Sequence, residues 1–313
     1  MKSDFFNLNF DKTTTYILLV FTVVYAFITI GIVGFRIDHL YFYLLLVFLY
    51  TFHPLTRKMV LSFVFFIIFW IIYDSMRAFP NYLFNTVHIE EPYLLEKSLF
   101  GINYMGKILT PNEYFLLNSN KILDFISGIA YLSWVPVPLM FSLLLFFKDR
   151  LLMLNFTMVF LLTNLLGFIL YYSYPAAPPW YFEAYGLVEK FNIPGNAAQL
   201  VNFDKLVGMD IFSNLYTKNS NVFAAIPSLH AAYPLVTFYF SLKKGYKLIS
   251  ILLFCNVIGI WFSAVYSFHH YVLDVLLGIL CAFVALLIYN FLILNHKPEE
   301  ELVKYNQFID RIK

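Results

Sequence analysis

The chemistry in this chain is concentrated in two histidines and one aspartate. His230 lies in Ala225-Ile226-Pro227-Ser228-Leu229-His230-Ala231, and His270 and Asp274 stand four apart in His269-His270-Tyr271-Val272-Leu273-Asp274. That spacing predicts an imidazole and a carboxylate on one helix face, within hydrogen-bond reach. Such a pair suits attack on phosphorus: a neutral imidazole is the nucleophile, and the carboxylate fixes its tautomer and stabilises the cation formed. A second histidine can protonate the departing alkoxide and then deprotonate the incoming hydroxyl. Arg77, and backbone N–H groups at the helix start near Ser228, can hold phosphate oxygens. This scheme requires neither a metal nor a cofactor, and the two cysteines lack the paired spacing of a zinc site.

The elements that must position these groups are apolar. Of 313 residues, 61% are hydrophobic, 21% aromatic and 13% charged, with a mean hydropathy of +0.72. Too little polar surface remains to coat a water-soluble globule. Disorder and collagen are excluded, and a net charge of +2 offers no general attraction for nucleic acid. The expected fold is all-α, a polytopic transmembrane bundle. A bilayer core about 30 Å thick calls for roughly 20 apolar residues per helix. That ruler predicts eight spans: 15–33, 39–52, 59–79, 125–147, 151–174, 222–242, 248–266 and 271–294. The second is short, and Pro136 and Pro138 are expected to kink the fourth. Cys255 and Cys281 fall in apolar runs and are expected to be buried thiols.

The 40 positions from His230 to His270 leave room for two crossings and a short turn, which returns both imidazoles to one depth. Arg77 ends the third span on the same side. Arg57, Lys58, Lys148, Arg150, Lys243, Lys244, Lys247 and the tail from Lys297 to Lys313 share the other side with Lys2 and Lys12. By the positive-inside rule both termini are expected in the cytoplasm, with the candidate site facing the periplasm or lumen. Residues 1–58 read as a two-span addition, 59–294 as a six-helix catalytic core with outer segments 80–124 and 175–221, and 295–313 as a cytoplasmic tail. The first outer segment suits a helix lying in the membrane interface. The second opens Pro175-Ala176-Ala177-Pro178-Pro179-Trp180-Tyr181, a stiff stretch suited to the headgroup layer.

Pro227-Ser228-Leu229-His230 followed by His269-His270-Tyr271-Val272-Leu273-Asp274 resembles the membrane type 2 phosphatidic acid phosphatase superfamily. With residues 175–181 and Tyr73-Asp74-x-x-Arg77, the likeness is greatest to inositol phosphorylceramide synthases of the fungal type and their bacterial relatives. The resemblance implies His270 as nucleophile, Asp274 as its partner and His230 as acid/base, at the outer or lumenal leaflet without a metal. It further implies transfer of phosphoinositol from phosphatidylinositol to ceramide, with release of diacylglycerol. The chain also departs from the phosphatases. If Tyr174-Pro175 stands for their Arg-Pro, Gly167 occupies their lysine position, and Ala264 replaces the arginine after Ser263. Three phosphate-gripping cations are therefore absent.

Blander readings stand beside these. Asp74 and Arg77 bind phosphate or form an intrahelical ion pair, and Ser228 caps a helix or contacts phosphate. Trp180 anchors in the interface or touches substrate, whereas His269, about 100° from His270 on a helix, supports the site. His39, His53, His88 and His296 have no partner by spacing. A lipid phosphate phosphatase is the main alternative function. A transporter is the other, but it would distribute ionisable groups through the membrane depth. The substrates expected are a membrane phospholipid donor and a lipid alcohol acceptor, and neither protein partner nor oligomeric state follows from the sequence.

Overall fold

The computed structural model describes residues 12–217 and 221–312. Lys2 and Lys313, counted above among the basic residues, and part of the second outer segment (218–220) lie outside them. Along the chain, α1 (Lys12–Ala26) runs on as a π-helix (Phe27–Ile32), followed by α2 (Ile37–Phe52), α3 (Pro54–Ser62) and α4 (Val64–Ser75). Then come α5 (Glu90–Phe100), a hairpin of β1 (Ile102–Tyr104) and β2 (Lys107–Leu109), α6 (Pro111–Leu117), α7 (Lys121–Leu132) and α8 (Pro136–Lys148). The long α9 (Arg150–Ser173) precedes three short helices, α10 (Pro179–Tyr185), α11 (Leu200–Val207) and α12 (Ile211–Tyr216). The chain closes with α13 (Leu229–Lys244), α14 (Lys247–Tyr266), α15 (Val272–Ile288, extended by a π-helix Tyr289–Ile293) and α16 (Lys297–Arg311).

The fold is all-α, a helical membrane bundle. Among the described residues four helices are long and apolar enough to cross a bilayer, Lys12–Ile32, Arg150–Ser173, Lys247–Tyr266 and Val272–Ile293, and two bent pairs raise this to six. One pair, α7 and α8, bends by 43°, where Pro136 supplies no N–H and its ring opposes the preceding turn. The other, α3 and α4, bends by 57° at Phe63, whose backbone leaves the helical region (φ −85°, ψ 9°). The third span expected from the sequence is thus two helices.

The remaining two expected spans, the second and sixth, are the 16-residue helices α2 and α13. Residues 221–228 do not join α13. Pro227 disfavours helix in the residue before it, and Ala224 instead pairs with Ala176 as an isolated bridge. Cys281 is buried as expected, but Cys255 is exposed, on an α14 face that suits lipid contact.

The chain divides into two compact units. One comprises residues up to Phe79, Ser142–Leu161 and Tyr289–Lys313. In it the final helix is tightly held: Leu302, Ile309 and Ile312 pack with Tyr50, Leu61 and Leu154, and Arg150 pairs with Asp310. The other comprises Pro80–Phe141 and Leu162–Ile288. There α13 packs against α14 and α15, and α14 packs against α7. Close approach is built in at Gly278, where a Cβ would stand 2.0 Å from the Ser228 carbonyl oxygen.

Candidate active site

His230, His270 and Asp274 all lie in the second unit and converge. His230 is the second residue of α13. Asp274 occupies the first turn of α15, where its Oδ2 accepts the Tyr271 N–H at 2.9 Å. His270 precedes α15, in the turn 267–271, so it does not share a helix face with Asp274 as the four-residue spacing predicts. The two meet across the helix start instead, with Nδ1 3.3 Å from Asp274 Oδ2. The other ring nitrogen, Nε2, lies 3.2 Å from His230 Nδ1. With its Nδ1 proton directed at Asp274, His270 presents an Nε2 lone pair to its neighbour. Burial lowers the His270 pKa to about 4, so the ring is neutral near pH 7.

The backbone of this turn is clamped from several sides. Phe268 has φ +66°, a left-handed conformation that costs a non-glycine residue about 1–3 kcal/mol. The N–H groups of His269 and His270 both reach the Ala264 carbonyl. The buried Asn112 side chain on α6 donates to the carbonyls of Val265 and His270, at 2.8 and 2.9 Å. Glu96 on α5, fully buried, accepts the N–H groups of Val272 and Leu273 at 2.9 and 3.2 Å. The first outer segment therefore packs on the candidate site. The sequence expectation of a helix in the membrane interface did not include this contact: a buried carboxylate on α5 must meet donors, and the free N–H groups of α15 supply them.

Three further residues line the site without any signature in the sequence. Tyr131 Oη lies 3.2 Å from His230 Nδ1, and Trp134 meets the His230 ring edge-on at 4.6 Å. Both flank the break between α7 and α8, so the bend in that span delivers two aromatics to one imidazole. Trp261 Nε1 donates to the Ala231 carbonyl at 2.9 Å. In so aromatic a chain nothing in the spacing separates these rings from packing material.

The other sequence candidates divide. Ser228 stands at the N-cap of α13, but its side chain makes no capping hydrogen bond. Among the described residues its Oγ is buried without a hydrogen-bond partner, as is Asp274 Oδ1. His269 is buried, its Nε2 3.0 Å from the Ala197 carbonyl oxygen and its ring stacked on Tyr216 at 4.3 Å. Burial lowers its pKa to about 3, which fits a neutral supporting residue. Tyr174 stacks on His88 at 3.8 Å. Trp180 and Tyr181 are not exposed as interfacial anchors would be: both are buried with Val87, Ile89, Phe223 and Phe268, and Tyr181 Oη donates to the Val188 carbonyl.

Asp74 and Arg77 belong to the first unit. Arg77 Nε donates to Asp74 at 3.2 Å, and Asp74 also binds Arg36 and His39, at 2.8 and 2.7 Å. His39 is therefore a buried hydrogen-bond partner of Asp74, and His88 faces Glu91 as well as Tyr174. His53 accepts the Leu55 N–H at the start of α3. Asp38, His39 and Asp74 bring ligand-type atoms within 4.8 Å of one another, and the Arg36 guanidinium bridges the two carboxylates.

The phosphatase cation positions are filled by packing. A Cβ at Gly167 would strike the Leu229 side chain at 2.6 Å, and Ala264 is fully buried among Tyr131, Ala231 and Val275.

A helical membrane bundle carrying Pro-Ser-x-His and His-x3-Asp at one site defines a class, and the comparisons agree with it. The profile of the PAP2 superfamily matches residues 108–288, and the chain belongs to that superfamily. It is an integral membrane protein. Among its relatives is the phosphoinositol dihydroceramide synthase of Bacteroides thetaiotaomicron, 43% identical over 283 residues, covering 90% of this chain and 93% of that one. The inositol phosphorylceramide synthase catalytic subunit of Saccharomyces cerevisiae is 32% identical over 136 residues, 43% of this chain and 33% of that one. The inositol phosphorylceramide synthase of Candida albicans is 28% identical over 195 residues, 58% of this chain and 40% of that one. No solved structure matches the chain.

Proposed function

We propose that this protein moves phosphoinositol from phosphatidylinositol to a ceramide or dihydroceramide, releasing diacylglycerol, through a phosphohistidine on His270. The observation that carries the reading is the 3.2 Å approach of His230 Nδ1 to His270 Nε2, with Asp274 behind the nucleophile. His270 Nε2 attacks phosphorus, and the bond to the diacylglycerol oxygen breaks as His230 gives that oxygen a proton. His230 then takes the proton of the ceramide hydroxyl, whose oxygen displaces His270 from phosphorus. Asp274 stabilises the imidazolium-like charge on phosphorylated His270. The substrate phosphoryl must part the two rings to reach His270 Nε2.

The names and similarity of the bacterial and fungal relatives support these lipids as substrates. The packed Gly167 and Ala264 positions favour transfer over a phosphatase, because a dianionic phosphate monoester demands more cationic grip than the diester of an inositol lipid. Orientation rests on the charge pattern. His230 and Lys244 stand at opposite ends of α13, 14 residues apart and thus about 21 Å along the helix, which supports cytoplasmic termini and an outward-facing site.

Purified protein in mixed micelles, given labelled phosphatidylinositol and ceramide, is expected to yield inositol phosphorylceramide and diacylglycerol in equal amounts. Rapid release of free phosphate from phosphatidic acid, without ceramide product, would establish the phosphatase instead.

A further inference from the structure

We infer that Glu96 is a positioning residue that sets the geometry of the His270–Asp274 pair by holding the first turn of α15; the inference rests on the phosphohistidine reading. The residue lies outside the stretch matched by the family profile, on a helix 176 positions before its partner. Its carboxylate is fully buried, and its two oxygens take one N–H each, from Val272 and Leu273. Asp274 takes the preceding donor, the Tyr271 N–H. Two carboxylates thus satisfy three successive amides at the start of one helix, and His270 is the residue immediately before them.

The arrangement has a mechanical and an electrostatic consequence. Mechanically, α15 cannot rotate or slide at its start without breaking a charge-assisted hydrogen bond, so the Asp274 oxygens stay aimed at His270 Nδ1. Electrostatically, a second carboxylate at this helix end adds to Asp274 in stabilising the cationic charge that His270 acquires when phosphorylated. The groups facing Glu96 are Val272 and Leu273 N–H, Asp274 and Tyr271, with Tyr93 on its own helix and Glu113 on α6 also within electrostatic reach of Tyr271. Lys97 is occupied by Tyr93 Oη at 2.9 Å. Burial first, and then Asp274, raise Glu96 to about 7. The anion, which accepts both amides, therefore prevails above about pH 7, and protonation below it weakens the clamp. His270 does not account for such a transition, since its own pKa lies at about 4.

The test compares wild type with Glu96→Gln and Glu96→Asp in detergent. Hydrogen exchange of a peptide spanning 268–275 needs no substrate, whereas turnover is read with phosphatidylinositol plus ceramide and, separately, with phosphatidic acid. Glu96→Gln keeps the shape but offers one acceptor oxygen, so faster exchange of the 272–273 amides and a fall in kcat of about 100-fold, with KM little changed, are expected. The wild-type decline in kcat below about pH 7 is expected to vanish in Glu96→Gln, and Glu96→Asp to retain it at reduced kcat. Wild-type kcat in Glu96→Gln, unaltered exchange, or the same acidic decline in both proteins would each overturn the inference. Wild-type failure with phosphatidylinositol and ceramide would overturn the substrate reading alone, since exchange and the phosphatidic acid arm still decide the role of Glu96.

Discussion

At the scale of single residues, the site depends on which proton sits where. His270 donates through Nδ1 to Asp274 and keeps the Nε2 lone pair toward His230, a tautomer set by the carboxylate. Asp274→Asn is expected to lower kcat by about 10³–10⁴-fold, because an amide also satisfies the wrong tautomer. Rapid-quench detection of acid-labile phosphoenzyme would check this, since the variant should accumulate little phosphohistidine. His270→Ala is expected to abolish phosphoenzyme and transfer together. The nucleophile's pKa of about 4 means that its neutral form is lost only as pH falls through that value. Tyr131 has a narrower task. Its hydroxyl is 3.2 Å from His230 Nδ1, and Tyr131→Phe is expected to slow turnover about tenfold while leaving phosphoenzyme detectable.

At the scale of elements, the decisive contact is between α13 and α15. Gly278 allows the Ser228 carbonyl to lie against α15, and Ser228 N–H donates to the Asp274 carbonyl at 2.8 Å. This joins the element bearing His230 to the one bearing Asp274 through backbone groups. Gly278→Ala would put a methyl 2.0 Å from that carbonyl oxygen. A destabilisation of about 1–3 kcal/mol is expected, with loss of transfer, because neither backbone can rotate away as a side chain could. Thermal unfolding in detergent, run beside activity, would reveal it. A fall in activity without a fall in stability would show that the two helices part locally and that the protein otherwise tolerates the change.

At the scale of the whole protein, the prediction concerns orientation. Met105, at the tip of the β1–β2 hairpin, is 87% exposed, and Lys247 begins α14. In a background lacking Cys255 and Cys281, Met105→Cys is expected to react with a membrane-impermeant maleimide added to intact cells, and Lys247→Cys only after lysis. The reverse pattern would turn the active site toward the cytoplasm. The proposed chemistry also uses imidazoles alone at phosphorus, so turnover is expected to be unchanged by a divalent-ion chelator.

Much of this was legible from the sequence alone. An apolar excess that no water-soluble fold can hide specified a helical membrane bundle, and two motifs 40 positions apart singled out His230, His270 and Asp274. These signals are local: hydropathy runs, proline positions and short spacings report what a segment needs, whatever it packs against. Tertiary structure decided what local signals do not encode. It replaced the expected helix face by a turn at His270, since the amides opening α15 were already claimed by Glu96 and Asp274. It buried Trp180 and Tyr181, supplied Tyr131 and Trp134 from a break in another helix, and gave His39 a carboxylate 35 positions away. Each of these contacts joins distant segments, and a buried polar group records in its own sequence only that it needs a partner, not where that partner lies.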